Sequence, residues 1–192
     1  MNFEEAVMPH LDAAYNLARW LTRNEDDAQD MVQEAYLRAL RFFGGFHGTD
    51  ARAWLLTIVR NTCYTWLKRS RSTEFSGDFD EAVLTKESDA PDPEASHVLK
   101  VQAQIINQAI EKLPLEFREV VILRELEELS YKEIAEITAI PIGTVMSRLS
   151  RARKRLLVGL RGIARVEPVE KTSSHKPPAI KCRIELVQAG NN

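Results

Sequence analysis

Apolar residues recur at helical rather than strand spacing along most of the 192-residue chain, which sorts it into helices before any other property is considered. Met8, Leu11, Tyr15, Ala18 and Leu21 share one face of a first helix. Asn24, followed by Glu25, Asp26 and Asp27, supplies a side-chain acceptor for the open amides of a second helix and acids for its positive end. There Ala28, Met31, Val32, Ala35, Ala39 and Phe42 form an inward stripe, with Asp30, Gln33, Glu34, Leu37, Arg38 and Arg41 opposite. A leucine set among charges fits either a solvated surface or a helix-docking site with an apolar anchor and polar rim. After Gly44-Gly45-Phe46-His47-Gly48-Thr49-Asp50, a third helix runs from about Ala51 to Arg69, burying Leu55, Ile58, Val59, Thr62, Cys63 and Trp66. Its other face carries Thr57, Arg60, Asn61, Tyr64, Lys68 and Arg71 with no acid among them, either an ordinary basic face or a surface for phosphates and unstacked bases. Trp20, Trp54 and Trp66 are expected in the core.

In the second half, Val101, Ile105, Ile106, Ala109, Ile110 and Leu113 make an amphipathic helix that stops at Pro114, and Pro114 also suits the first turn of the next, to about Glu127. Ser130-Tyr131-Lys132-Glu133 is a capping box, with Leu129 and Ile134 as its hydrophobic staple, so a short helix runs from Tyr131 to about Thr138. Thr138-Ala139-Ile140-Pro141 interrupts, and a longer helix follows from about Ile142 to Leu160, with Val145, Leu149, Ala152 and Leu156 inward. Short helix, tight turn, longer basic helix is the helix-turn-helix pattern. Thr144, Ser147, Arg148 and Arg151 project where such helices meet base edges, while Arg153, Lys154, Arg155 and Arg161 suit phosphates.

The net charge of −2, with 26 basic and 28 acidic residues, argues at first against a nucleic-acid binder. Its distribution argues the other way. Residues 35–72 carry +6 and 138–165 carry +7, masked by −6 over 2–34, −7 over 73–98 and −3 over 99–137, and a polyanion responds to charge within a Debye length of roughly 8 to 10 Å. The stretch 73–98 is acidic, contains Pro91 and Pro93 and lacks an apolar period, so it is expected to be a linker. The pattern therefore predicts an all-α chain of two small helical domains, 1–72 and 99–163, joined by an acidic flexible linker at 73–98, the second containing a helix-turn-helix. Residues 164–192 are expected to be a disordered extension, although Ile180, Cys182, Ile184 and Leu186 alternate with charges as a strand would.

Other classes find little support. No run approaches the roughly 18 apolar residues of a membrane helix, and the acidic start predicts no export signal and a cytoplasmic protein without membrane insertion. Cys63 and Cys182 lack ligand spacing, and His10, His47, His97 and His175 are scattered, so no metal and no cofactor are expected. No nucleophile, carboxylate pair or phosphate-binding glycine loop points to an enzyme or a small-molecule substrate.

Three segments carry a family resemblance: Asp27-Ala28-Gln29-Asp30-Met31-Val32-Gln33-Glu34-Ala35-Tyr36-Leu37-Arg38-Ala39, Ala53-Trp54-Leu55-Leu56-Thr57-Ile58-Val59-Arg60-Asn61-Thr62, and Gly143-Thr144-Val145-Met146-Ser147-Arg148-Leu149-Ser150-Arg151-Ala152-Arg153. In this order, over roughly residues 5–162, the chain resembles the extracytoplasmic-function (ECF) sigma factors of bacterial RNA polymerase. The resemblance implies a transcription initiation factor in which Asp30, Gln33, Glu34, Leu37 and Arg38 dock on the clamp helices of the polymerase's largest subunit. It assigns His47, Gly48, Thr49, Asp50, Arg60, Asn61, Tyr64 and Lys68 to the promoter's minus-10 element, with Asn61 at a flipped base. Thr144, Met146, Ser147, Arg148, Arg151, Arg153 and Arg155 would read the minus-35 element, and an anti-sigma factor would be a further partner. A free-standing helix-turn-helix regulator is the alternative. Ala139 stands where the family usually has glycine, which predicts a differently shaped turn, and Met146 replaces a frequent Lys or Arg.

Overall fold

The computed structural model describes residues 2–48, 50–74 and 95–163, and every regular element among them is helical. α1 (Phe3–Val7) passes through a 3₁₀ turn (Met8–His10) into α2 (Leu11–Thr22), followed by α3 (Glu25–Phe42), a second 3₁₀ turn (Phe43–Gly45) and α4 (Ala51–Glu74). Then come α5 (Ala95–Glu111), α6 (Leu115–Val121) with a π turn (Ile122–Leu126), α7 (Tyr131–Thr138) and α8 (Ile142–Ile163). Helix thus reaches into both ends of the 73–98 segment; residues 75–94 and the alternating pattern near Cys182 lie outside the described residues.

By contact, the described residues of 2–74 and 114–152 make one compact unit, and those of 95–113 and 153–163 a second. These divisions differ from the 1–72 and 99–163 segments read from the sequence. In the first unit α2, α3 and α4 pack on one another, α1 lies on α4, α6 on α2, and α7 on α4 and the π turn. Ala28, Ala35 and Ala39 of α3 are fully buried, and their small side chains let its axis approach its neighbours closely. Leu17, Leu21, Leu55, Leu56 and Val59 fill the space between α2 and α4, with Ile122, Leu123, Ile134, Ile137 and Leu149 buried in the later elements; each such side chain contributes about 2 kcal/mol by leaving water. In the second unit Ala109, Ile110 and Leu113 are buried, while Leu157 and Val158 of α8 are exposed.

Two expected core positions are on the surface. Met8 is exposed because Pro9 tightens the chain into the 3₁₀ turn and shifts the helical register. Phe42 is exposed because α3 ends there, and the next residue, Phe43, takes the inner place, with its ring 5.2 Å from Phe3 and 6.2 Å from Trp54.

The local signals hold atom by atom. Asn24 Oδ1 accepts from the amides of Asp26 (2.8 Å) and Asp27 (3.1 Å), and the Ser130/Glu133 box is closed in both directions. Its hydrogen bonds to Ser130 hold the Glu133 carboxyl below the ordinary range. The turn after α7 is not reshaped by alanine: Ala139 adopts φ 54° and ψ 41°, the left-handed conformation a glycine would take. The Ile140 amide closes it on the Ala135 carbonyl at 3.2 Å, giving a Schellman-type cap in which Ala139 bears the strain.

Candidate functional site

Three surfaces bring the sequence-derived residues together. The first is a groove between α3 and α4, lined from α3 by Asp30, Gln33, Glu34, Leu37 and Arg38. Leu37, an apolar side chain, is 53% exposed. Arg38 is fixed beside it: its Nε donates to Glu34 Oε1 at 2.8 Å, one turn back, and its Nη1 donates to Thr62 Oγ1 at 3.4 Å on α4. The far wall is Thr62, Thr65, Trp66 and Arg69. Those four were not singled out as docking residues, although their i, i+3, i+4, i+7 spacing marks one face of α4; Trp66 is half-buried as the groove's wall rather than deep core.

The second surface is the 46–50 loop and the face of α4. Phe3, Tyr36, Phe43, Phe46 and Trp54 form a chain of ring contacts beneath the loop. His47 and Gly48 are exposed, and a Cβ at Gly48 would lie 2.9 Å from the Phe46 ring, so a larger residue there would have to displace that ring. Thr49 lies outside the described residues. The Asp50 carboxylate is committed to its helix, Oδ1 accepting from the Ala53 amide at 2.9 Å.

Arg60, Asn61 and Tyr64 come together, but not as an open basic face. The Arg60 guanidinium sits 4.3 Å over the Tyr64 ring and donates to Asn61 Oδ1 at 3.3 Å. Its Nε also donates to Glu119 Oε1 at 2.5 Å, and the Tyr64 hydroxyl donates to Glu119 Oε2 at 3.0 Å. Glu119 belongs to α6 and is completely buried, while only 15% of the Arg60 side chain is exposed. Burial pushes the Glu119 carboxyl above its ordinary range, with Arg60, Tyr64 and Arg148 pulling the other way. Burial, and then Glu119, push the Tyr64 hydroxyl up as well. Lys68, a turn further on, is exposed. Sequence reasoning found the basic face but not the acid that covers it.

The third surface is the helix-turn-helix of α7 and α8. Val145, Leu149 and Ala152 anchor α8 inward, leaving Met146, Ser147 and Arg151 exposed and Thr144 half-buried. The Ser147 hydroxyl donates to the Thr144 carbonyl at 3.0 Å. Arg148, 22% exposed, faces Glu116 of α6 at 3.7 Å. Arg153 and Arg155 follow on the next turn of α8.

Residues 6–73 match the family model for Sigma-70 region 2, and residues 103–156 the model for Sigma-70, region 4. Over 137 residues the chain is 38% identical to the ECF RNA polymerase sigma-E factor of Escherichia coli, covering 68% of this chain and 72% of that protein. The chain belongs to the ECF sigma factors. This sigma factor is also 31% identical over 158 residues to ECF RNA polymerase sigma factor SigE of Mycolicibacterium smegmatis, spanning 81% of its own length but 60% of that relative. Among solved structures it is similar to the sigma factor RpoE of Bartonella quintana, solved with the anti-sigma factor NepR, at 31% identity and a TM-score of 0.68, covering 83% of this chain and 96% of that one. CnrH, solved with the cytosolic domain of CnrY, shares the fold at 22% identity and a TM-score of 0.58. Among the described residues no helix is long and apolar enough to cross a membrane, and no cluster of metal-ligating side chains occurs.

Proposed function

We propose that this sigma factor binds core RNA polymerase through the α3–α4 groove, melts the minus-10 element with the 47–50 loop and the Arg60, Asn61, Tyr64 and Lys68 face, and reads the minus-35 element with α8. The groove carries this reading. Its exposed leucine, with a flanking arginine pinned on two sides, is the apolar anchor and ordered polar rim that a partner helix requires, and a free-standing regulator has no use for it. On α8, Met146 and Arg151 would meet base edges, with Thr144 and Ser147 near the backbone. The chain would carry no catalytic step of its own, and its place would be the cytoplasm, with the polymerase. Because RpoE of Bartonella quintana was solved with an anti-sigma factor, such an inhibitor is proposed as a further partner.

Co-purification with core enzyme and promoter-dependent run-off transcription test the reading. Leu37→Ala combined with Arg38→Glu should abolish core binding and transcription while leaving binding of the chain to duplex DNA unchanged. Core binding that survives both substitutions would return the chain to the class of independent regulators.

A further inference from the structure

The outward face of α8 changes character along its length. Its first two turns expose Ile142 (46%) and Met146 (53%), which stand one turn apart on the same side of the helix. Their neighbours are short: exposed Ser147 and Ser150, half-buried Thr144, and Gly143, where an added Cβ would meet nothing within 4 Å. The Ser147 hydroxyl is turned back onto the Thr144 carbonyl at 3.0 Å, and Arg148 faces Glu116 at 3.7 Å. Met146 is therefore the longest exposed side chain of α8 before Arg151, and exposed cations begin only there, continuing with Lys154 and Arg155. Packing has no use for the apolar pair, because Val145, Leu149 and Ala152 already fill the inner side. Seven cations and no acid over residues 138–165 make a DNA duplex the complementary occupant of this face.

We infer that Met146, with Ile142 one turn behind it, reads the C5-methyl groups of thymines in the minus-35 element. This rests on the proposed role of α8 at that element. In a helix-turn-helix the amino-terminal residues of the second helix meet the base edges, and among the edges of the major groove only thymine offers an apolar group. A thioether carries no donor, so against guanine it would cover the O6 and N7 acceptors without replacing the water they lose. Three rotatable bonds and a polarizable sulfur let Met146 follow a methyl group in the groove. One helical turn rises about 5.4 Å and one base step about 3.4 Å, so Ile142 and Met146 reach neighbouring steps of one tract rather than a single base. Burying one methyl group is worth about 4-fold in affinity.

The test uses the holoenzyme. A promoter library randomised over the minus-35 element, selected by run-off transcription, supplies a preferred duplex, in which each minus-35 thymine is then replaced by deoxyuridine. That change removes the methyl group and leaves every hydrogen-bonding edge intact. Wild-type holoenzyme should bind at least one such duplex about 3- to 5-fold more weakly. Met146→Ala should bind thymine and deoxyuridine equally at that position, and Met146→Arg should shift its preference to guanine by at least about 5-fold. The wild-type measurement needs no substitution, so it stands whether or not the variants fold. A selected element without thymine, deoxyuridine tolerated at every position, or a thymine preference undiminished in Met146→Ala overturns the inference. So does a uniform loss of transcription by Met146→Ala on all promoters, which would mark the residue as a contact for a protein. Arg151→Ala separates the two readings. If it relaxes preference at another position while deoxyuridine is tolerated, only the methyl reading fails; if neither Arg151→Ala nor Met146→Ala changes any preference, the assignment of α8 to the minus-35 element fails.

Discussion

Ala139 offers a direct measure of the turn that presents α8. At φ 54° and ψ 41° an L residue bears about 1 to 2 kcal/mol of strain relative to its preferred wells. Glycine removes that strain but gains unfolded-state freedom worth about 0.5 to 1 kcal/mol, so Ala139→Gly should stabilise the chain by roughly 0.5 to 1 kcal/mol. For a chain of this size, about 2 to 4 °C per kcal/mol converts this into a rise in melting temperature of about 1 to 4 °C. Ala139→Val should lower it by more, since a β-branched side chain tolerates the left-handed region least. Thermal and urea melts of the three proteins, followed by circular dichroism, read both effects. The backbone geometry is unchanged by glycine, so minus-35 binding by Ala139→Gly should equal that of wild type. A glycine variant no more stable than wild type, together with a valine variant equal to it, would refute the left-handed turn and the placement of α8 that follows from it.

Other expectations concern charge and chemistry. Arg151→Ala should cost roughly 1 to 3 kcal/mol at one promoter position and relax preference there; unchanged affinity and preference across a promoter library would remove Arg151 from the recognition set. Burial pushes the Cys63 thiol up to about 12, so in a Cys182→Ser background native protein should resist a thiol reagent at mildly alkaline pH and react only on unfolding. Rapid labelling of the native chain would contradict this. The Glu119 carboxyl is raised by burial, so above the ordinary carboxylate range the folded chain retains this proton more readily than the unfolded one. Stability from this group is therefore full below the ordinary carboxylate range and is lost as pH rises through the raised value. The urea midpoint of wild type relative to Glu119→Gln should fall as pH rises above the ordinary carboxylate range; a difference that stays level or grows would show that the pair with Arg60 outweighs the burial.

What the sequence disclosed follows a physical division. Caps and stripes are local: Asn24, the Ser130/Glu133 box and the Ala28, Ala35, Ala39 face act within a turn or two, and each stands in the structure where its spacing put it. The α3–α4 groove was half legible, because Leu37 broke a polar face while Trp66 gave no sign that it lined a wall rather than the core. Phe42 and Met8 misled at helix ends, where the 3.6 period stops applying. The meeting of Arg60 with Glu119 joins residues 59 apart in sequence, and no periodicity encodes such a pairing. One signal did exist: Val120-Val121-Ile122-Leu123 is apolar all round, and all four are buried. An amphipathic surface helix needs one apolar face, so such a run announces a second partner.

The burial of Glu119 also bears on how this lineage can change. Replacing Arg60 would leave the interior Glu119 without its partner, a loss of about 3 to 5 kcal/mol and a large share of a small protein's stability. A chain altered at Arg60 alone would lose folding stability first. Change at position 60 is therefore tied to change at position 119, and descendants with a neutral residue at 60 should carry a neutral one there too.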